Sequence, residues 1–156
     1  MKQIKKNYVT EEGYKEIVDE LNNRKTTIRK EIAERIKYAK EFGDLSENAA
    51  YSEAKEAQTE NESRIKELED LILVTEVVKK DKNNNTIQIG SSFTVEINGQ
   101  NFDYSIVGPQ EADPSIYKIS NEAPLGKAFL NKKRGDIIKF TSPSGAKMEF
   151  KIKNIK

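Results

Sequence analysis

Cysteine and histidine are both absent from this chain of 156 residues. Without cysteine there are no disulfide staples and no thiol chemistry, and a reducing compartment suits the chain. Without histidine the commonest general base and metal ligand is missing. Proline first occurs at Pro109, and only Gly13 and Gly43 precede Gly90, so little interrupts a helix in the first half. No apolar run is long enough to span a bilayer. The opening Met1-Lys2-Gln3-Ile4-Lys5-Lys6 lacks the apolar core of a signal peptide. The expectation is a cytoplasmic protein with no membrane partner.

What the chain has in abundance is charge. Charged residues make up 34% and hydrophobic ones 35%, a balance that disfavours one large core and suits an elongated molecule. Residues 1–79 hold 15 basic and 18 acidic side chains, whereas residues 80–156 hold 12 and 8. That mild polarity falls short of the basicity of a free-standing nucleic-acid binder.

The first half reads as helix. Thr10 before Glu11 and Glu12 is an N-cap followed by acids that suit the positive end of a helix dipole. Tyr14, Ile17, Leu21, Ile28 and Ile32 then recur at spacings of three, four or seven. Gly43 fits the stop of this helix. A second helix is expected from about Ser46 to about Val78, with a seam of Ala50, Ala54, Ala57, Asn61, Arg64, Leu68, Leu71, Thr75 and Val78. The tight link makes the pair an antiparallel coiled-coil hairpin, slender at an acidic tip (43–48) and better filled at its base. Exposed alternating charge on such a rod fits a monomer.

After the polar stretch Asp81–Asn85 the period changes to two. Thr86–Ile89 and Ser92–Ile97 read as strands, and Asn98-Gly99 is a strong type I′ hairpin signal. Phe102, Tyr104, Ile106, Ile137 and Ile138 continue the pattern, and Ser142-Pro143-Ser144-Gly145 turns the chain before Met148, Phe150 and Ile152. Leu125–Asn131 reads as a short helix. The expected class is therefore α+β: a helical hairpin over 1–79, then a small antiparallel β-sheet domain with one short helix over 80–156. That domain carries no phosphate loop, nucleophile elbow or metal cluster in sequence, and suits docking.

The tip turn Gly43-Asp44-Leu45-Ser46-Glu47-Asn48 admits two roles. Asp44 and Glu47 have the spacing of a capping box, with Asp44 accepting backbone N–H groups and Glu47 reaching back. The same spacing sets two carboxylates close together at an exposed turn. Such oxygen donors suit Mg²⁺, which takes one or two protein carboxylates and completes its shell from elsewhere. Nothing else in the chain would complete that shell, so a self-contained metalloenzyme is disfavoured.

The stretch Ala39-Lys40-Glu41-Phe42-Gly43-Asp44-Leu45-Ser46-Glu47-Asn48-Ala49-Ala50-Tyr51, followed by Ala54-Lys55-Glu56, resembles the tip signature of the bacterial Gre transcript-cleavage factors. The likeness extends to Arg64–Glu69, Ile106-Val107-Gly108, Glu111-Ala112-Asp113 and the Gly135-Asp136 turn. It implies an FKBP-like C-terminal domain that docks on bacterial RNA polymerase while the coiled coil enters the secondary channel. There the tip carboxylates, matched here by Asp44 and Glu47, help the polymerase bind a second Mg²⁺ and hydrolyse backtracked RNA near its 3′ end. The chain would then be an accessory factor rather than an enzyme. In this frame Lys40 and Lys55 match basic positions that contact the RNA, and Ser46 and Asn48 lie beside the carboxylates as RNA or metal-shell contacts. The segment Asn121–Lys127 follows the family pattern only loosely.

Two other readings stay open. A Gre-fold inhibitor would occupy the channel without cleaving RNA, although such relatives alter the tip acids that are kept here. A plain coiled-coil module would have no polymerase partner. Sparse basic residues near the tip point to the less basic of the family's two cleavage types.

Overall fold

The computed structural model describes residues 6–44, 47–81 and 85–156. They form two compact units: Lys15–Val74, and Thr75–Lys156 together with the N-terminal segment through Tyr14. The chain passes between the units at Tyr14/Lys15 and at Val74/Thr75.

Helix α1 (Glu11–Asn23), which enters the first unit at Lys15, passes through one π-helical stretch (Arg24–Ile28) into α2 (Arg29–Lys40), and α3 (Ala49–Val74) returns. Partners across the pair run in opposite senses. Arg29 grips Glu62 with two bonds of 2.7 Å, and further along Arg35 reaches back to Glu53 at 3.1 Å. The hairpin is thus antiparallel, as expected. Ile17, Leu21, Ile65 and Leu68 bury aliphatic area toward one end, and Ala39 and Ala54 bury little toward the turn. Ala50, expected in the seam, is exposed. α3 also begins at Ala49 and ends at Val74, inside the expected Ser46–Val78.

The seam contains one buried amide. Asn61 is 3% exposed, and its Nδ2 donates to the Arg24 carbonyl at 3.2 Å while its Oδ1 accepts from Arg24 at 3.3 Å. The π stretch delivers that carbonyl, which also accepts from the Arg29 N–H. Beside it, Glu20 accepts from Arg64 at 3.0 and 3.1 Å and from Arg24 at 2.8 Å. The Arg64 bond, with Arg24 adding to it, holds the Glu20 carboxyl below the usual carboxylate range.

The second unit holds two sheets. β1 (Asn7–Val9) and β2 (Thr75–Val77) pair in parallel, and the Val78 N–H donates to the Val9 carbonyl at 2.8 Å. Thr75 and Val78 therefore leave the helical seam. The segment Thr75-Glu76-Val77-Val78, rich in β-branched residues, finds a strand partner far away in sequence, and pairing overrides helix propensity. The larger sheet has the order β5-β4-β3-β7-β6, from β3 (Ser92–Ile97), β4 (Gln100–Val107), β5 (Lys118–Ser120), β6 (Ile137–Thr141) and β7 (Lys147–Ile155). It is antiparallel except for the β4/β5 pair, which is parallel. The α+β class stands, with a mixed rather than wholly antiparallel sheet.

Asn98 and Gly99 take φ of 51° and 80°, the two left-handed positions of a type I′ turn joining β3 to β4. Thr86–Ile89 does not form the expected strand. Only Thr86 makes a bridge, to Lys133, while Ile87 drops fully buried into the core. Helix α4 (Pro124–Phe129) sets Phe129 against Phe93 and Phe150, with ring centroids at 4.9 and 5.3 Å. These rings, with Val95, Ile106 and Ile152, are the centre of the core.

The start of α1 is capped from a distance. Thr10 Oγ1 accepts from the Gly13 N–H at 3.0 Å, as an N-cap should. A capping box would place a glutamate at position 13 to reach back to the Thr10 N–H. Instead Glu111 accepts from the Thr10 N–H at 2.8 Å and from its hydroxyl at 2.5 Å. Its carboxyl lies over position 13, where a Cβ would stand 2.1 Å from Glu111 Cδ. Any side chain at position 13 would force the Glu111 carboxyl to move.

Three outcomes are expected. Gly13→Ala should displace Glu111 and lower stability in urea by about 1–2 kcal/mol, the worth of the lost bonds. On a Glu111→Ala background the same change should stabilise by up to about 1 kcal/mol, through helix propensity alone. For Glu20 the folded value lies below the unfolded one. Its contribution is therefore complete above the ordinary value of 4.5 and lost as pH falls through the folded value. Denaturation midpoints at neutral and acid pH should show Glu20→Gln losing part of this dependence.

Candidate functional site at the hairpin turn

α2 ends at Lys40, and the chain turns at Gly43, whose φ of +114° is a conformation that side chains rarely allow. A Cβ there would meet nothing within 4 Å, so geometry of the backbone rather than crowding calls for glycine. Asp44 follows, exposed, and Glu47 is exposed three residues later. Leu45 and Ser46 lie outside the described residues, so Ser46, expected as a contact, receives no structural account.

The residue that starts α3 is Asn48. Its Oδ1 accepts from the Tyr51 N–H at 3.1 Å, the bond of an N-cap to its third helical residue. Its Nδ2 donates to the Ala39 carbonyl at 2.7 Å, which at the end of α2 also accepts a longer bond of 3.3 Å from the Phe42 N–H. One half-buried amide thus serves the end of one helix and the start of the next. The sequence reading gave the α3 cap to Asp44. The structure gives it to Asn48, because the helix starts three residues later than expected. The sign available in sequence was an asparagine, among the best N-cap residues, directly before Ala49-Ala50.

The expected basic contacts flank the turn on separate helices. Lys40 is exposed in the last turn of α2. Lys55 is exposed on α3 and donates to Gln58 at 2.7 Å. Among the described residues no group of three or more acidic side chains could hold a metal ion. Asp44 and Glu47 each offer hard oxygen donors of the type Mg²⁺ takes.

Sequence reasoning passed over two aromatic residues here. Tyr38 and Phe42 lie one helical turn apart at the end of α2, 64% and 68% exposed, with ring centroids 4.8 Å apart. Their i,i+4 spacing was the signal. In the other unit, Lys132, Lys133 and Arg134 lie exposed on the turn before β6, where Asp136 accepts from the Lys133 N–H at 2.8 Å.

This architecture has known relatives. Residues 7–77 match the family model "Transcription elongation factor, N-terminal", and residues 82–156 match "Transcription elongation factor, GreA/GreB, C-term". The chain belongs to the GreA/GreB family of transcription elongation factors. The transcription elongation factor GreA of Acetivibrio thermocellus is 46% identical over 153 residues, covering 95% of this chain and 94% of that protein. The GreA of Clostridioides difficile is 44% identical over 155 residues and covers 96% of each. Among solved structures, GreA factor homolog 1 of Thermus thermophilus covers 97% of this chain and 99% of that one, at 26% identity and a TM-score of 0.43.

Replacing Asn48 by alanine should remove both turn bonds. Amide hydrogen exchange at Tyr51 and Ser52 should then speed up, with a loss of about 1–2 kcal/mol in local stability. Aspartate at the same position keeps the N-cap acceptor and should protect Tyr51 better than alanine does.

Proposed function

We propose that this chain docks on bacterial RNA polymerase through residues 80–156 and delivers the 43–48 turn through the secondary channel to backtracked RNA. There Asp44 and Glu47 act as shared ligands of a Mg²⁺ ion held jointly with the polymerase and the RNA. The observation that carries this reading is the division of labour at the turn. The α3 N-cap is Asn48, while the two carboxylates of the family's tip signature stand exposed beside it.

The chemistry belongs to the polymerase, and this chain is an accessory to it. Bound there, Mg²⁺ would polarise a phosphodiester and make a water nucleophilic. Asp44 and Glu47 contribute negative oxygen acceptors, which hold and orient that water by hydrogen bonds and offset the charge of the metal. Lys40 and Lys55 offer ammonium groups to the RNA phosphates. Ser46 lies between the carboxylates in sequence and is a candidate RNA contact. Asn48 acts as a positioning residue, since its amide is engaged in holding the turn. The product is an RNA with a new 3′ end that the polymerase can extend.

The test is a backtracked elongation complex with RNA labelled at its 5′ end, given the protein and Mg²⁺. The RNA should shorten rapidly. Asp44→Ala with Glu47→Ala should slow that shortening by about a hundredfold or more, the rate equivalent of several kcal/mol of charge stabilisation. Polymerase capture should be unchanged. Binding without shortening would make the protein a channel-occupying inhibitor, and absence of binding would leave a plain coiled-coil module.

A further inference from the structure

The exposed pair Tyr38 and Phe42 is not accounted for by the hairpin's stability. Single apolar side chains on a surface need no explanation. Two aromatic rings in mutual contact, each about two-thirds exposed, form a patch of another kind. Tyr38 stands in the last turn of α2 and Phe42 in the turn just after it, four residues on, with ring planes inclined at 59°, an arrangement favoured between aromatic rings. Phe42 directly precedes the Gly43 turn. The rings are thus in mutual contact and largely open to solvent, with Phe42 two residues before Asp44 in sequence.

Charge around the pair narrows what it can receive. A shallow cavity beside Tyr38 is lined by Glu31, Glu34 and Arg35, and Arg35 is already paired with Glu53 at 3.1 Å. The two acids disfavour a phosphate on that side. The last turn of α2 carries Lys37 and Lys40, which favour one. A nucleic-acid strand crossing this helix end would thus have its phosphates drawn toward the lysines and its base free to turn onto the rings. We infer that Tyr38 and Phe42 form a stacking platform for the nucleobase at the 3′ end of the single-stranded RNA.

This rests on the function proposed above and names a specificity-neutral contact within it. Stacking accepts every base, because each has a π-face, and so suits a factor that must act on any transcript. A tyrosine and a phenylalanine serve that purpose, while leucines of similar bulk would keep the apolar area and lose the π-surface.

The test uses the intact protein on a backtracked polymerase complex whose RNA ends in 2-aminopurine, a fluorescent base that is quenched on stacking. Asp44→Ala with Glu47→Ala keeps the RNA whole during the measurement. Adding that variant should quench the probe about twofold or more, and adding Tyr38→Leu with Phe42→Leu to it should abolish the quenching. In the otherwise native protein, the two leucines should raise the concentration for half-maximal cleavage about tenfold while the maximal rate changes little. Cleavage without quenching, or quenching that survives the leucines, overturns the platform and leaves the cleavage reading intact. Quenching that needs the rings, from a protein that cleaves nothing, keeps the platform and overturns that reading. If the leucines abolish polymerase capture itself, the pair docks on protein instead of RNA.

Discussion

The turn at residues 40–48 depends on one side-chain amide. Asn48 joins the end of α2 to the start of α3 through its bonds to Ala39 and Tyr51. The helix ends create the need, since each leaves backbone groups without intrahelical partners. An amide satisfies both because it carries a donor and an acceptor on one planar group. A carboxylate would lack the donor, and a hydroxyl would not have the reach. Asp44 and Glu47 of the same turn are both exposed to solvent.

Below the turn the hairpin is held by modest forces. Alanines near the tip remove little apolar area from water, and the Arg–Glu pairs across the helices are largely exposed and individually weak. What specifies the alignment is the directional chemistry at Asn61, whose amide meets the Arg24 carbonyl only where the π stretch presents it. Buried polar groups of this kind tend to fix register, because any slip leaves them without partners. The sheet unit is organised differently. Its rings at Phe93, Phe129 and Phe150 bury completely, and α4 closes over them.

The sequence was readable where the signal is local. Thr10 as an N-cap, the Asn98-Gly99 turn, the alternation of Phe150 and Ile152, and the antiparallel hairpin all follow from spacings within a few residues. The tip signature is local in the same way, and it is what singles out Asp44 and Glu47 as candidates. What was not legible depends on partners remote in the chain. β1 and β2 are short and only become strands by finding each other. The π stretch has no propensity signature of its own. Glu111 completes a cap about a hundred residues away, a pairing no local window contains. Asn48 is a different kind of miss. Its cap was visible locally, but the capping-box spacing at Asp44 and Glu47 competed for the same role.

The contact between Glu111 and the vacant Cβ position of Gly13 has a consequence for descent. Neither residue is indispensable by itself, yet each is constrained by the other. Glutamate at 111 makes any side chain at 13 costly, and glycine at 13 leaves the Thr10 N–H dependent on a remote acceptor. A lineage that lost the glutamate would be released to regain a local capping glutamate at position 13. The two positions should accordingly change together or not at all, and intermediates holding one change should be short-lived.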